Sequence, residues 1–431
     1  PFWLKFRTLC LYLLVAPSHA LLMPTRIAVV GAGPLVGLHH CNAVKHLTST
    51  GVELACICDL PEHAAATAAQ LGVPCYSDAE DMARKERLDG VVIATPTHLH
   101  LPVFEKCIIG AQARRTEFGE GSSTLKAVLV EKPICHDLGS AWRLVQAAEA
   151  AGVKVLVGHQ RRHSAYVRKA REVVQDSDFG TLRGLSAEFV LLKPESYFQP
   201  SDLRVGWRCQ KNKGGPVLIN LIHDVDLLRY ITGREVLSVF ASTSTSGRGF
   251  DVEDTGAATV TLSGGAVGTF LFSDASPSPW SYEFTTGENR KYPKLPGVDA
   301  TDCYHFMGTK QSIAFPSLRR FKYGQEVREA GWDSPLTLER EQVQHQDPII
   351  AQMEHFAKVC RGEEEPLCGG RDGIESLAVI MAVLRSSQTQ AVVSPKSLLD
   401  KARDGMDCAA DAGDGESASA SQSGSPSTKT S

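Results

Sequence analysis

The sequence lacks the grouped cysteines by which a metal-binding or disulfide-stabilised protein is usually recognised. Its twelve cysteines are scattered, and none belongs to a CxxC pair. Cys56 and Cys58 fall within a strand-like apolar run. Because zinc sites and disulfide frameworks both need cysteines at characteristic spacings, we expect buried, reduced thiols and no metal site.

The sequence also lacks strong charge of either sign. The formal net charge is −4 at pH 7, and no basic stretch with interleaved aromatic residues is present, so nucleic acid is not an expected partner. The apolar run Thr8–Ala16 is shorter than the ~20 residues that span a bilayer, so no membrane partner is expected. A chain of 431 residues, 43% of them hydrophobic, is typical of a globular protein with two or three domains.

Residues 1–22 have the order of a signal peptide. Lys5 and Arg7 precede the apolar run Thr8–Ala16, and small residues follow it. Met23, just before the first predicted strand, is a natural alternative start. We therefore interpret residues 1–22 as an N-terminal extension and expect a cytoplasmic protein; the alternative is secretion, with residues 1–22 as a genuine signal peptide.

The pattern after Met23 is that of a dinucleotide-binding site. Thr25–Val30 predicts a buried strand, a glycine turn follows, and Val52–Cys58 predicts a second strand that ends at Asp59. Glycines in the turn allow pyrophosphate to approach the backbone, the next helix offers free N–H groups, and the acid binds ribose hydroxyls. The candidate cofactor residues here are Gly31, Ala32, Gly33, Gly37 and Asp59.

Two details of this pattern bear on the cofactor. Asp59 would repel a 2′-phosphate and no arginine follows it closely, which favours NAD and leaves NADP as the alternative. The glycine spacing is GxGxxxG, one residue longer than usual. Either the loop is longer by one residue, or Val36 occupies the position of the third glycine.

Two further strands end in polar residues. Parallel sheets bind ligands at the carboxyl ends of their strands, so the residues after Leu88–Ala94 and Val128–Val130 are candidates. Proline cannot continue a strand ladder, and Pro133 ends the second strand. In the first turn, Thr97 and His98 either line the cofactor or serve as ordinary turn and capping residues. The cofactor candidates at these two strand ends are Thr95, Pro96, Thr97, His98, Glu131 and Lys132.

The strand and helix patterns predict an α/β protein with an N-terminal Rossmann domain over residues 23–158. A polar surface insertion is expected at 110–124. Residues 159–396 predict a C-terminal α+β domain with a large, mostly antiparallel open sheet and a long loop at 276–300. Residues 397–431, rich in serine, glycine and alanine, predict a disordered tail.

Hydride transfer to nicotinamide requires a base for the hydroxyl proton and a group that stabilises the alkoxide. His223 is the candidate acid/base because histidine titrates near neutrality; the alternative is a capping or core histidine. Lys132 is the candidate electrophile; the alternative is a solvated lysine. Glu131 either bonds the cofactor ribose or orients Lys132, or it forms a simple ion pair.

The chain from about Thr25 to Val393 resembles the Gfo/Idh/MocA family (glucose-fructose oxidoreductase / inositol dehydrogenase). The glutamate–lysine–proline tripeptide after a hydrophobic strand, followed some 90 residues later by a Gly-Gly…His segment, is specific in combination. The segments that carry the resemblance are Val29–Gly33, Ala94–His100, Val130–Pro133, Gly214–His223 and Gly370–Ser376.

The resemblance implies an NAD(P)-dependent oxidoreductase of sugars, inositols or polyols, with catalytic residues Lys132 and His223. It also implies a homodimer or homotetramer formed through the C-terminal sheet. The alternatives are a regulator that binds cofactor without turnover, and a reductase or dehydrogenase of a non-sugar diol or carbonyl. The candidate substrate residues are His159, Arg162, Tyr197, Arg208 and Asn220.

The sequence departs from the family pattern beside the catalytic histidine. Many members have an aspartate four residues before it, where this chain has Ile219. Asn220, Asp226 or Arg208 is therefore expected to supply the missing polarity.

Overall fold

The computed structural model describes residues 23–405 apart from 35, 123–124, 203–204, 290, 294–295, 298–300 and 328. The N-terminal extension 1–22 and residues 406–431 of the expected tail lie outside the described residues. The described chain folds around two β-sheets.

The first sheet is parallel, with strand order β3-β2-β1-β4-β5-β6. This is the Rossmann order, and it confirms the predicted Rossmann fold of the N-terminal part. Both faces of the sheet are covered, which explains why its strands are almost continuously apolar. The strands are β1 Thr25–Val30, β2 Val52–Cys58, β3 Cys75–Tyr76, β4 Gly90–Ile93, β5 Ala127–Glu131 and β6 Lys154–Gly158. The helices are α1 Gly37–His46, α2 Pro61–Leu71, α3 Ala79–Lys85, α4 His100–Phe118 and α5 Leu138–Ala151.

Helix α4 corrects the expected surface insertion at 110–124. The helix continues through most of this segment and ends at Phe118. Gly110, which suggested a helix end, instead allows close packing, because a Cβ there would lie 2.2 Å from the carbonyl oxygen of Glu80. The glycine is thus needed for the approach of α4 to α3 and does not end the helix.

The second sheet has eight strands in the order β14-β13-β12-β11-β7-β10-β9-β8, and only β7 and β10 pair in parallel. The predicted large, mostly antiparallel sheet is therefore confirmed. The strands are β7 Leu182–Val190, β8 Val236–Ser244, β9 Thr255–Leu262, β10 Val267–Ser273, β11 Tyr304–Gly308, β12 Gln311–Phe315, β13 Arg319–Tyr323 and β14 Leu336–Arg340. The helices are α6 Ala165–Gln175, α7 Ile222–Thr232, α8 Tyr282–Thr286, α9 Pro348–Arg361, α10 Gly370–Thr389 and α11 Pro395–Arg403.

Helices α6, α7 and α10 pack on one face of the second sheet. The strands alternate between buried and exposed residues, so the other face is turned away from these helices. That outer face carries exposed apolar side chains, among them Leu237, Phe240, Val267, Leu271 and Met307.

Helix α9 joins the two parts of the chain. It follows the second sheet in sequence, yet its buried side chains Met353 and Phe356 pack with Ile27, Val29 and Leu129 of the first sheet. The predicted domain boundary at residue 158 thus lies between the two sheets in sequence. One of the helices that cover the first sheet, α9, nevertheless comes from residues 348–361, after the second sheet.

Three further expectations about the C-terminal half need correction. The edge strands β13 and β14 were not expected, because their residues are half-exposed or exposed and show no clear alternation. The loop at 276–300 contains the short helix α8, held by the buried Tyr282. The tail cannot begin at residue 397, because α11 packs on α5 and α10.

No helix in the described part of the chain is both long and apolar enough to cross a membrane. The ten cysteines that the structure describes are all free thiols.

Candidate functional site

The glycine turn after β1 is a close-packed backbone cradle. Gly31 has φ +80°, and a Cβ there would lie 2.8 Å from the Ala94 carbonyl group. A Cβ on Gly37 would lie 1.9 Å from the carbonyl oxygen of Gly31. Gly37 therefore takes the position of the third glycine in a loop that is longer by one residue, while Val36 is exposed before α1.

Asp59 lies beside this turn. Its Oδ2 would be 3.6 Å from a Cβ built on Gly33, and its Oδ1 accepts a 2.7 Å hydrogen bond from the Leu60 N–H. Helix α1 begins at Gly37 without a side-chain cap from the described residues, so its first N–H groups face the loop. A tight turn, an uncapped helix N-terminus and a flanking carboxylate fit a dinucleotide.

The turn after β4 is tied to the end of β5 by a buried histidine. The two ring nitrogens of His100 are each 3.0 Å from a carbonyl oxygen, that of Thr95 for Nε2 and that of Pro133 for Nδ1. Thr97 is buried at the start of a short 3₁₀ turn that also contains His98, and Pro96 precedes it. Thr95 Oγ1 and His98 Nδ1 are buried with no hydrogen-bond partner among the described residues. Burial lowers the pKa of His98, so its ring is neutral near pH 7.

Glu131 is held by a residue that sequence reasoning missed. His40, buried on α1, places its Nε2 2.8 Å from Glu131 Oε1. The second oxygen of Glu131 accepts a 3.2 Å hydrogen bond from the backbone N–H of Lys132. Burial opposes ionisation of Glu131, but His40 and Lys132 outweigh it and lower the pKa of that carboxyl group. The pair links the helix at the glycine turn to the residue before the candidate electrophile.

Lys132 reaches from the end of β5 into the second domain. Its Nζ donates a 2.9 Å hydrogen bond to the carbonyl oxygen of Ile219. Ile219 lies in a turn of π-helix, Val217–Leu221, that runs directly into α7. Burial lowers the pKa of Lys132, while Glu131 opposes this effect.

The first N–H group of the π-helical turn Val217–Leu221 is hydrogen-bonded by a side chain that is distant in sequence. The N–H of Val217 donates a 2.8 Å hydrogen bond to Oε1 of the buried Glu253. A Cβ on Gly215 would lie 2.6 Å from the same oxygen, so glycine is needed there. Burial raises the pKa of Glu253 to about 7. π-helical turns occur frequently at functional sites.

His223 lies in the first turn of α7, buried close to Lys132. Its Nδ1 has no hydrogen-bond partner among the described residues. Burial lowers its pKa well below the usual value, and the charges of Lys132 and Arg161 act in the same direction. The imidazole is therefore neutral at pH 7, which is the form that accepts a proton.

The expected polar support for His223 is not found, which is a correction. Asp226 accepts hydrogen bonds of 2.7 and 3.0 Å from the guanidinium group of Arg162. Asn220 Oδ1 accepts a 2.5 Å hydrogen bond from the Nζ of Lys193. Arg208 stacks on another side chain, as described below. Each of the three residues thus has a partner other than His223.

Two of the expected substrate residues are buried beside one another. Arg162, expected to bind substrate, is instead occupied by Asp226 and by the carbonyl oxygen of Leu367. His159 lies edge-on to His223 with ring centroids 6.4 Å apart. Burial lowers the pKa of His159 to about 4.

One group among the described residues could hold a metal ion. His159, Asp226 and Cys368 bring one ligand atom each within 4.8 Å of one another. The guanidinium group of Arg162 already neutralises Asp226 at 2.7 Å, so a cation would meet a positive charge there. The donor set does not favour a metal, and no chemical step is assigned to one.

Tyr197 and Arg208 form a cationic cluster with Lys193, another residue that sequence reasoning missed. The ring of Tyr197 lies 4.2 Å from Lys193 Nζ and 4.0 Å from the Arg208 guanidinium carbon. Burial would raise the pKa of Tyr197, but Lys193, Arg208 and Lys132 together lower it. Lys193 is itself buried, at 7% exposure. In the sequence it is one lysine in a polar loop, which gives no signal of its burial.

Comparison with known families agrees with this geometry. Residues 25–159 match the model of an oxidoreductase family with an NAD-binding Rossmann fold. Residues 167–313 match the GFO/IDH/MocA C-terminal domain. The chain belongs to the Gfo/Idh/MocA family. Its first domain is the family's NAD-binding domain, and the resemblance drawn from the sequence is confirmed.

Individual relatives are distant. The chain is 30% identical over 220 residues to an inositol 2-dehydrogenase of Arthrobacter sp. (strain FB24), and this match covers 50% of the chain and 56% of that protein. It is 24% identical over 332 residues to the 1,5-anhydro-D-fructose reductase of Ensifer adhaerens, covering 76% of the chain and 86% of that protein. The chain thus matches little more than half the length of the first of these relatives.

The fold is shared with solved structures. The WlbA dehydrogenase from Bordetella pertussis, crystallised with NADH and UDP-GlcNAcA, superposes with a TM-score of 0.65. That alignment covers 86% of this chain and 98% of the solved one, at 24% identity.

This Gfo/Idh/MocA chain has Ile219 at the position, four residues before His223, where many family members have an aspartate. Ile219 provides its backbone carbonyl oxygen to Lys132, in place of a carboxylate.

Proposed function

We propose that this protein is an NAD-dependent oxidoreductase that transfers a hydride between nicotinamide and a secondary alcohol of a sugar, inositol or polyol. One observation supports the proposal above all: Lys132 and Ile219, 87 residues apart, are hydrogen-bonded within one turn of His223. An ammonium group and a neutral imidazole thus come together at the carboxyl end of β5. The neighbouring strand β4 is followed directly by Ala94 and Thr95, which pack against Gly31 of the glycine turn.

The chain's own residues divide the chemistry between them. Bound NAD would supply the hydride acceptor. Lys132 donates a hydrogen bond to the substrate oxygen and stabilises the negative charge that develops on it. His223, neutral at pH 7, accepts the hydroxyl proton, a contribution of roughly 10²–10⁴ in rate for such a group. His159 lies edge-on to His223, with ring centroids 6.4 Å apart, and would help to position the imidazole.

The cofactor residues follow the usual roles of a Rossmann site. Gly31, Ala32, Gly33 and Gly37 admit the pyrophosphate to the N-terminus of α1. Asp59 binds the adenosine ribose and disfavours a 2′-phosphate, so NAD is preferred over NADP. Thr95, Pro96, Thr97, His98 and Glu131 line the nicotinamide half.

The proposal includes an assembly and a compartment. The outer face of the second sheet carries Leu237, Phe240, Leu271 and other exposed apolar side chains, which suits a homodimer or homotetramer. Ten free thiols among the described cysteines are typical of a reducing compartment, so we place the enzyme in the cytoplasm.

The experiment is a substrate screen with matched variants. Nicotinamide absorbance is followed for the full chain with NAD and a panel of inositols, aldoses and non-sugar diols. Lys132→Ala and His223→Ala are measured beside Lys126→Ala, which removes an exposed lysine next to the opposite end of β5. We expect turnover of a sugar or polyol by the wild type and by Lys126→Ala only.

Two results would contradict the proposal. NAD binding without turnover of any member of the panel would favour a regulator. Turnover of the non-sugar diols alone would assign a different substrate class.

A further inference from the structure

We propose that the substrate carries an anionic group, a carboxylate or a phosphate, in addition to the reacting alcohol, and that Lys193 binds it. This inference rests on the proposed function and narrows its substrate class. It follows from how two lysines share the π-helical turn Val217–Leu221.

The two lysines are anchored side by side. Lys132 Nζ donates to the carbonyl oxygen of Ile219 at 2.9 Å. Lys193 Nζ donates to the side-chain oxygen of Asn220, the next residue, at 2.5 Å. Both ammonium groups therefore sit at one turn of helix, just before His223. Both lysines are close enough to His223 for their charges to lower its pKa, so both belong to the same site.

Neither ammonium group forms a salt bridge with the described residues. No carboxylate oxygen in the described chain lies within 4.0 Å of Lys132 Nζ or Lys193 Nζ. The carboxylates nearby have closer partners: Glu131 lies 2.8 Å from His40, and Asp274 lies 3.1 Å from Arg248, although Lys132 and Lys193 also act on the pKa values of these two carboxyl groups. The acceptors that the lysines do have are a backbone carbonyl, an amide and, for Lys193, the side chain of Tyr197.

Positive charge extends along the same side of the site. Arg208 stacks on the face of Tyr197 at 4.0 Å, and its Nη1 donates to the Tyr197 carbonyl oxygen. Arg161 is paired with acids, Glu283 at 3.2 Å and Asp224 at 3.5 Å, and Arg162 is paired with Asp226 at 2.7 Å. Lys132, Lys193 and Arg208 are the cations of this cluster that have no carboxylate at salt-bridge distance among the described residues.

A buried charge without a counter-charge is costly, and an anionic ligand removes that cost. Lys132 is assigned to the reacting oxygen. Lys193 is then the cation left for a second group on the same molecule, and hydrogen bonds between ammonium and carboxylate or phosphate are among the strongest available. A neutral sugar would leave Lys193 with only Asn220 and Tyr197 as partners, and no carboxylate at salt-bridge distance.

The alternative is that Lys193 only braces Asn220 and the loop that carries Tyr197. The two roles differ in which substrates they affect. A bracing lysine would influence every substrate, whereas an anion-binding lysine influences only substrates that carry the anion.

The experiment compares three forms of one sugar: glucose, glucuronate and glucose 6-phosphate, with a galactose series in parallel. For the wild type we expect kcat/KM at least roughly tenfold higher for one of the anionic forms than for the neutral parent. Lys193→Met should remove that preference by raising KM for the anionic form roughly 10- to 100-fold, a loss at least about tenfold larger than any change in KM for the neutral sugar. Lys193→Arg should keep part of the preference, and Lys211→Met, an exposed control in the same loop, should keep all of it.

The outcomes distinguish failure of this inference from failure of the proposed function. Preference for glucuronate over the 6-phosphate would assign a carboxylate, and the reverse a phosphate. Turnover of the neutral sugar with no gain from either anion, or an equal loss for all three forms in Lys193→Met, would overturn this inference alone. Absence of turnover with every one of these sugars, and with every inositol and polyol of the first panel, would overturn the proposed function as well.

Discussion

The ammonium group of Lys132 donates a 2.9 Å hydrogen bond to the carbonyl oxygen of Ile219, and this contact joins the end of a Rossmann strand to the helix that carries His223. The carbonyl accepts this bond in a π-helical turn, where backbone hydrogen bonding departs from the α-helical pattern. Many family members have an aspartate at this position. In this chain the backbone carbonyl of Ile219 orients Lys132 without adding negative charge. Burial, together with the charges of Lys132 and Arg161, keeps His223 neutral.

The His40–Glu131 pair should matter for turnover more than for cofactor affinity. In His40→Ala, Glu131 loses its 2.8 Å partner while still buried, so its pKa should rise and Lys132 should lose its fixed position. We expect kcat to fall roughly tenfold, with KM for NAD changed by less than about threefold. Steady-state kinetics with His46→Ala, an exposed histidine on α1, as control would test this; equal losses in both variants would contradict it.

The same pair gives a pH dependence of stability. The folded-state pKa of Glu131 is lowered, so its contribution is present above the unfolded-state pKa and is lost as pH falls through the lower folded value. His40→Ala should therefore lose less stability than the wild type on acidification. Urea unfolding between pH 6 and pH 3, a range that extends below the unfolded-state pKa of glutamate, measures the difference.

Glu253 should produce the opposite pH dependence. Its folded-state pKa is raised to about 7, so the folded state holds the proton more tightly and stability falls as pH rises from about 4.5 to 7. The contribution is about 3 kcal/mol at most. Glu253→Gln, which can still accept from Val217, should flatten this fall. Thermal unfolding at pH 5 and pH 8 measures it, with the exposed Asp251→Asn as control; an unchanged slope in Glu253→Gln would refute the assignment.

Asp59 should set the choice of cofactor. Its carboxylate flanks Gly33, where an adenosine ribose would lie, and repels a 2′-phosphate. Asp59→Ala should narrow the preference for NAD over NADP by roughly tenfold or more. The ratio of kcat/KM for the two cofactors is the measurement. A wild type that already prefers NADP would show that this role is wrongly assigned.

The outer face of the second sheet should hold the subunits together. Leu271, at 45% exposure, lies on the interior strand β10, on the same outer face of the sheet as the exposed Phe240 and Val267. Leu271→Glu should dissociate the oligomer without unfolding it, because the side chain does not contribute to the core. Light scattering with size-exclusion chromatography measures this; a monomeric wild type would contradict the proposed assembly.

Local patterns in the sequence predicted much of this molecule. Strands β1 and β2 have the expected bounds, since each is a short apolar run that ends at a turn. The glycine turn and Asp59 were found because their chemistry depends on neighbours in sequence. The sequence left two candidates, Val36 and Gly37, for the position of the third glycine. The close packing of Gly37 against Gly31 assigns that position to Gly37.

The remaining features depend on contacts between distant parts of the chain. His40 meets Glu131 across 91 residues, and Lys193 meets Asn220 across 27. The spacing of Asn220, His223 and Asp226 suggested one polar face, but Arg162 and Lys193 approach from other segments and occupy two of the three. Gly110 suggested a helix end because its packing partner on α3 is not visible in the local sequence.

The central claim is that Lys132 acts on the reacting oxygen and not merely on the fold. The direct measurement is the single-turnover rate of nicotinamide reduction with saturating NAD and the best substrate of the panel, for the wild type, Lys132→Ala and Lys126→Ala. We expect Lys132→Ala to bind NAD within about threefold of the wild type and to reduce it at least ~10³-fold more slowly, with Lys126→Ala unchanged. A Lys132→Ala rate within about threefold of the wild type would contradict the account.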